Sequence, residues 1–468
     1  MFHCRKDGQK KAQVAVVLVP LPMQGHLNQL LHLARLISSY NIPVHYVSSA
    51  THNRQAKRRV HGWEPLATSN LHFHEFRTPH FLSPPPDPYA PTMFPSHLQP
   101  SVDASLCLRE PVTKLLCTLS ARTRRVVVIH DSLMAFVVQD VVLIPNAESY
   151  SFHSVSAFAM FFYFWEAMGR PFPVEAEILR ELPSLEGCFT IEFKKFIAKQ
   201  HEYAKLSAGR VYNTCKIIEG RFLDLLAKEQ ITGNKKQWAL GPFNPVDVPK
   251  TKSMTQRHRC LEWLDEQPPS TVLYVSFGTT TSLTNEQITE LAVGLERSKQ
   301  KFIWVLRDAD KGNVFARAKK RELLPEGYEE RMDANGSMVV RDWAPQLEIL
   351  GHPSTGGCMS HCGWNSCMEC ITMGVPIAAW PMHSDQPRNT VLVAKLLRVG
   401  LVVRDWACRD ELVTSTTIER AVTTLMATRE GDEMRRRAAE LGAAVRGSAV
   451  EGGDSRMELD SFIAYITR

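Results

Sequence analysis

Residues 343–386 read WAPQLEILGHPSTGGCMSHCGWNSCMECITMGVPIAAWPMHSDQ. Gly356 to Ser360 is a strand candidate, and the polar turn His361, Cys362, Gly363 follows it. A helix candidate runs from Trp364 toward Gly374, and Pro376 to Trp380 is the next strand candidate. Strand, turn, helix and strand in that succession belong to a parallel α/β sheet.

The alternation extends to both sides of this stretch. Upstream lie a β-rich run at Thr271 to Phe277, a helical period at Asn285 to Ser298, a strand candidate at Phe302 to Leu306 and another at Ser337 to Arg341. Downstream lies Gly400 to Val403. A separate series occupies the first half: Val14 to Val19 is continuously apolar, Leu30, Leu33, Ala34 and Ile37 recur at helical spacing, and Val44 to Val47 and Arg125 to Ile129 are further strands. A helix is expected over Ser132 to Val142. Leu71 to Arg109 contains seven prolines between Pro84 and Pro100, which predicts loop, and a wall for a ligand pocket.

A chain of 468 residues is longer than one core usually organises. Proline-rich connector sequence between Gly241 and Arg259 separates the two series. The expected division is residues 1–243, a linker over 244–258, a second doubly wound unit over 259–450, and a final helix over 451–468 returning to the first unit. Such sheets bind ligands beyond the carboxyl ends of their strands, so two facing units predict a cleft enzyme.

Hydrophobic residues make up 44% and charged residues 22% of the chain, as in ordinary globular proteins. The net charge of +6 is dispersed in short runs such as Arg54 to Arg59 and Arg435 to Arg437, which argues against nucleic-acid binding. The apolar run Ala157 to Trp165 is far below the roughly 18–20 residues that span a bilayer. Eleven cysteines and no secretory pattern at the start point to a reducing, cytoplasmic setting.

Chemistry-bearing residues gather at three strand ends. Gly25 and His26 follow the first strand, where a helix N-terminus would lower the imidazole pKa and favour its neutral, proton-accepting form. A histidine there can equally serve the turn backbone. Asp131 ends a later strand and could orient such a base, or cap the helix that follows. At the third end, the helix beginning at Trp364 aims backbone N–H groups at whatever precedes it, which suits a phosphate. Cys358, His361, Cys362, Cys367 and Cys370 raise a zinc alternative, disfavoured because Cys358 lies on a strand, Cys367 and Cys370 lie within a helix and no second C-x-x-C completes a set.

The 44 residues (386 − 343 + 1) from Trp343 to Gln386 resemble the signature box of plant secondary-product glycosyltransferases. VPLPMQGHLNQLLHLARL and VVVIHDSLMA resemble the same family, so the likeness spans both halves. It implies a GT-B fold, a metal-free inverting mechanism and a UDP-sugar as co-substrate with no other cofactor. By that pattern Trp343 stacks on uracil and the Ala344 backbone bonds its edge. Glu369, with Gln346 nearby, takes the ribose hydroxyls. His361, Asn365 and Ser366, with Trp364 among them and Ser276 and Thr279 opposite, hold the diphosphate. Asp385 and Gln386 bind the sugar, and a final glutamine is the family's usual sign of glucose.

His26 then becomes the general base and Asp131 its orienter. More narrowly, IPNAESYSFHSVSAF and the opening QGHLNQLLHLARLISSYNIPVHYVSSATHNRQ resemble zeatin O-glucosyltransferases, above all those acting on the cis isomer. The partners so implied are a UDP-sugar and a small acceptor, a cytokinin or, alternatively, a flavonoid or other phenol; Phe136 and Phe158 to Trp165 would make the acceptor side bulky. A monomer is expected. A UDP-sugar-binding protein without turnover is the non-enzymatic alternative.

Overall fold

The computed structural model describes residues 12–60, 62–233, 235–247, 257–315 and 324–468. Two parallel sheets organise it. The first contains β1 (Ala12–Val19), β2 (Val44–Ser49), β3 (Leu71–Phe76), β4 (Thr123–Asp131), β5 (Ala147–His153), β6 (Gly209–Tyr212) and β7 (Lys236–Ala239), in spatial order β3-β2-β1-β4-β5-β6-β7. The second contains β8 (Val272–Ser276), β9 (Lys301–Val305), β10 (Met338–Val340), β11 (Thr355–Ser360), β12 (Ile377–Ala379) and β13 (Gly400–Val402), in order β10-β9-β8-β11-β12-β13. Every strand pair is parallel.

Both orders reverse direction once, between β1 and β4 and between β8 and β11. At such a switch point the helices leaving adjacent strands diverge to opposite faces, which opens a crevice at the carboxyl ends. Register brings those ends level: Val19 lies opposite His130, and Ser276 lies opposite Ser360. Apolar strands covered on both faces explain the continuous runs in the sequence; Val16, Val17, Leu18, Val127, Val128 and Ile129 are all fully buried.

Three expectations are corrected. Ser132 to Val142 is two short 3-10 turns, Ser132–Met134 and Gln139–Leu143, in place of a helix. Leu71–Phe76 is a regular edge strand, ending before the first proline, and Gln99–Ser105 is a helix with Pro100 in its first turn, where the missing N–H costs nothing. The aromatic run sits in helix Ala157–Ala167, where Phe158, Phe161, Phe162 and Trp165 are buried against Phe172 and Phe222; these four rings are core, whereas Tyr163 and Phe164 are half-buried. Its N-terminal N–H groups at Ala157 and Phe158 are taken by the buried carboxylate of Glu219 (2.9 and 2.7 Å). Part of the connector, 248–256, lies outside the described residues.

The last helix, Asp454–Thr467, packs on the first sheet. Phe462 is fully buried with its ring 5.1 Å from Trp238 and 5.7 Å from Tyr150, both edge-on. No helix among the described residues is long and apolar enough to cross a membrane. Removing the ring leaves a cavity between sheet and helix, so Phe462→Ala is expected to cost about 3 kcal/mol of stability, read from urea unfolding; an unchanged midpoint would show that the helix does not close this core.

Candidate active site

The first sheet contributes a histidine–aspartate pair. Helix Gln24–Ser38 starts five residues after β1, and His26 lies in its first turn, its N–H bonded to the Met23 carbonyl at 2.9 Å. Asp131 is the last residue of β4, the neighbour of β1 across the switch point. Its Oδ2 lies 2.6 Å from His26 Nδ1. Where the carboxylate accepts this bond, Nδ1 carries the proton, and the neutral imidazole then has its lone pair on Nε2. The second carboxylate oxygen of Asp131, Oδ1, accepts from the Leu133 N–H at 2.9 Å. Capping and orientation, alternatives in the sequence, are thus performed together, one by each oxygen.

Burial lowers the His26 pKa, but the charge and hydrogen bond of Asp131, with the charge of Asp385, outweigh it and the net shift is upward. This reverses the lowering expected from the helix N-terminus: a carboxylate in contact outweighs a fractional dipole charge. Neighbouring His130 is buried, bonded to Ser207 Oγ at 3.0 Å and pushed down to about 4 by burial, a structural position.

The second sheet contributes a polar turn. Ser276 ends β8, Thr279 lies in the turn beyond it, and His361 follows β11. The His361 ring lies between two glycines: a Cβ on Gly278 (φ +76°) would approach its Nε2 to 2.6 Å, and one on Gly363 to 2.5 Å. Burial drives this imidazole down to about 4, so it is neutral. Cys362 and Ser384 both take left-handed backbone (φ 61° and 58°) without being glycine, strain of the kind that gathers at ligand sites. Helix Trp364–Met373 begins after Gly363, with no side chain capping its first turn. The N–H groups at that end face the crevice uncapped.

Two side chains of this turn cross the cleft. Asn365 Nδ2 donates to the Gly25 carbonyl at 2.8 Å, beside His26, and Trp364 Nε1 donates to the Asn213 carbonyl at 2.8 Å. Trp364 is buried at 2% exposure, and its side chain joins the two domains. Gln346 Nε2 donates to Ser366 Oγ at 3.2 Å and to Glu369 Oε2. Burial, aided by Glu348 and opposed by the Gln346 hydrogen bond, raises Glu369 to about 7. Ala344 is buried, and its carbonyl accepts from the Gln346 N–H at 2.9 Å.

The sugar-side loop follows β12. Asp385 Oδ2 accepts from Asn389 Nδ2 at 2.7 Å, and burial lifts its pKa to about 6, against the lowering effects of Asn389 and His26. Gln386 Oε1 accepts from the Met382 and His383 N–H groups (2.8 and 3.0 Å). Its carboxamide oxygen is therefore engaged with its own loop. The proline-rich segment reaches this loop, the Phe94 ring meeting that of His383 at 5.8 Å.

The cysteines of the zinc alternative are packed in apolar core: Cys358, Cys362, Cys367 and Cys370 are each at most 2% exposed. Among the described residues no group of three or more histidines, cysteines or carboxylates is arranged for a metal.

Sequence reasoning missed several neighbours. Ser154 Oγ lies 3.0 Å from His26 Nδ1, after a strand too polar to read as one. Asn389 orients Asp385. Trp343 has the guanidiniums of Arg59 and Arg307 over its ring, at 4.8 and 5.3 Å from its centroid. No spacing rule joins residues 59, 307 and 343; tertiary folding alone brings them together.

Two doubly wound parallel domains that face each other across a cleft have the GT-B arrangement. The comparisons agree with that geometry. Residues 12–245 match the family model for the glycosyltransferase N-terminal domain, and residues 243–433 that for UDP-glucuronosyl and UDP-glucosyl transferases. The chain is 59% identical to the zeatin O-glucosyltransferase of Phaseolus lunatus over 98% of both chains. It is 55% identical to the zeatin O-xylosyltransferase of Phaseolus vulgaris, covering 98% of this chain and 99% of that one. It is 42% identical to cis-zeatin O-glucosyltransferase 1 of Zea mays, covering 97% and 98%. A solved transferase from Siraitia grosvenorii in complex with UDP superposes with a TM-score of 0.74 at 25% identity, covering 97% of this chain and all of that one. The chain belongs to family 1 of the UDP-glycosyltransferases.

Glu369 supplies a test that needs no substrate. Its folded pKa of about 7 lies above the ordinary carboxyl value, so the folded chain holds this proton more tightly and stability falls as pH rises through that interval. Glu369→Gln is expected to be more stable than the parent by on the order of 2 kcal/mol at about pH 8 and equal to it near pH 4. Urea midpoints at both pH values measure this, and a variant less stable at the higher pH would overturn it.

Proposed function

We propose that the protein transfers glucose from UDP-glucose to the side-chain hydroxyl of zeatin, with inversion at the anomeric carbon. The observation that carries the mechanism is the 2.6 Å contact between His26 Nδ1 and Asp131 Oδ2. With Nδ1–H held by the carboxylate, Nε2 is free to accept the acceptor's proton. The acceptor oxygen attacks the anomeric carbon as the bond from that carbon to the diphosphate oxygen breaks, and UDP leaves with the electron pair. Attack from the face opposite UDP inverts the centre. Asp131 stabilises the imidazolium that forms.

The leaving diphosphate is assigned to the uncapped N-terminus of helix Trp364–Met373, with neutral His361, Ser366, Asn365, Ser276 and Thr279 around it. Negative charge develops there in the transition state, and fixed N–H dipoles stabilise it without reorganising. Glu369 is a carboxylate pushed up by burial, the condition that two ribose hydroxyls would relieve by donating to it. Trp343 offers the face for uracil. Asp385 lies toward His26 and takes the sugar, with Gln386 shaping the loop.

Glucose as donor and zeatin as acceptor are supported by the relative at 59% identity that bears both in its name. The xylosyl relative at 55% makes UDP-xylose the donor to test against. The cis isomer rests on the resemblance of the opening sequence and on the relative at 42%; both isomers are therefore arms of the assay. Among the described residues the cysteines are unpaired, which supports a cytoplasmic, reducing setting.

Purified protein is incubated with UDP-glucose, UDP-xylose or UDP-galactose and with cis-zeatin, trans-zeatin or a panel of phenols, products being identified by mass. The expected product is a zeatin O-glucoside; turnover confined to phenols would refute the acceptor, and no turnover at all would leave a nucleotide-sugar binder. His26→Ala is expected to lower kcat by about 10²–10⁴. Because the His26 pKa is raised by Asp131, kcat/KM should climb with pH as the imidazolium deprotonates, and Asp131→Asn should move that rise to lower pH while reducing kcat. A rise that stays in place in Asp131→Asn would remove Asp131 from the mechanism.

A further inference from the structure

Asp310, in the loop after β9, binds groups from both domains. Its carboxylate accepts from Arg59 Nη1 on Oδ2, and on Oδ1 from Arg59 Nη2 at 3.1 Å and from Arg307 Nη2. Arg59 ends helix Ala50–Arg59 of the first domain, whereas Arg307 and Asp310 belong to the second. All three are mostly withdrawn from solvent, with side chains 15%, 16% and 7% exposed, so screening by salt is weak. The Asp310 main chain is also engaged: its N–H donates to the Thr279 carbonyl at 2.7 Å and its carbonyl meets His97 Nε2 at 2.8 Å.

The two guanidiniums repel each other, and each would otherwise extend into water. Sharing Oδ1 of one carboxylate draws them together, and where they meet is the Trp343 ring, 4.8 and 5.3 Å from its centroid. A cation against an indole face is held by the ring quadrupole at about 0.5–2 kcal/mol. Trp343 is thereby fixed in plane by a pair of cations whose position depends on one acidic side chain.

We propose that Asp310 is a positioning residue for the nucleotide base: by pairing Arg59 with Arg307 it sets both guanidiniums against Trp343 and holds the indole in the plane on which uracil stacks. The proposal rests on the assignment of Trp343 to uracil made above. It makes the base site a product of both domains, because Arg59 comes from the acceptor side. Through the Thr279 carbonyl the same residue fixes the loop that faces the diphosphate.

The test uses the full chain, with UDP as probe in isothermal titration calorimetry and UDP-glucose in steady-state kinetics. Asp310→Asn keeps the main-chain bonds and removes the charge. Its Kd for UDP and its KM for UDP-glucose are expected to rise about tenfold, with kcat and the acceptor KM within about twofold of the parent. Inorganic pyrophosphate, which has no base to stack, should inhibit variant and parent equally. Arg59→Gln removes the other end of the ion pair without touching the loop and should give the same split; it serves if Asp310→Asn does not fold. A parent that binds UDP and a variant that binds it as tightly would overturn the proposal while leaving the nucleotide site intact. Parallel loss of kcat, acceptor KM and pyrophosphate affinity would also overturn it, as general loosening of the domain. A parent that takes up no UDP would overturn the nucleotide assignment and this proposal with it.

Discussion

His26 and Asp131 stand on adjacent strands of one sheet, and their contact exists because the sheet changes direction between them. β1 and β4 pair in register from Ala12 to Val19, so the helix that leaves β1 and the turn that leaves β4 start side by side. The carboxylate has no exposure and would be costly to bury alone. Its two oxygens are satisfied by an imidazole on one side and a main-chain N–H on the other.

The two domains are held in reach of each other by bonds made from the turn after β11 and the loop after β12. Asn365 reaches the Gly25 carbonyl, Trp364 the Asn213 carbonyl, and the Ser384 N–H the Cys188 carbonyl at 2.9 Å. Asn389, which orients Asp385, also accepts from Ser156 Oγ at 2.7 Å. The residues that join the domains lie along one short segment, and one of them, Asn365, bonds the helix that carries His26.

Much of this was legible in the sequence. Strands covered on both faces advertise themselves as apolar runs, and β1, β2, β4 and β8 to β13 were all visible that way, as were His26, Asp131 and His361 at strand ends. β5 was not, because Glu148, Ser149 and Ser151 break its apolar pattern although Ser149 and Ser151 are buried; β6 and β7 are four residues each, too short to show a period. The candidate residues were legible wherever their placement follows position along a strand. They were not where placement follows approach in space: Ser154 at His26, Arg59 and Asp310 at Trp343, and the turning of the Gln386 oxygen back onto its own loop depend on how two domains meet.

The direction of the His26 shift bears on how readily this imidazole takes up a proton. A phenol ionises readily enough that a weak base suffices, whereas an alcohol retains its proton until attack is under way and needs an acceptor whose affinity for it grows in step. A buried imidazole alone would be a poorer base than one in water, as His361 and His383 show, both driven far down by burial. At His26 the carboxylate of Asp131, with the more distant Asp385, reverses that loss. The same Asp385 is raised by its own burial and eased by His26, so the two side chains favour each other's charged forms across the cleft. The hold of His26 on its proton thus draws chiefly on Asp131 of its own sheet, and to a lesser degree on Asp385 of the other domain.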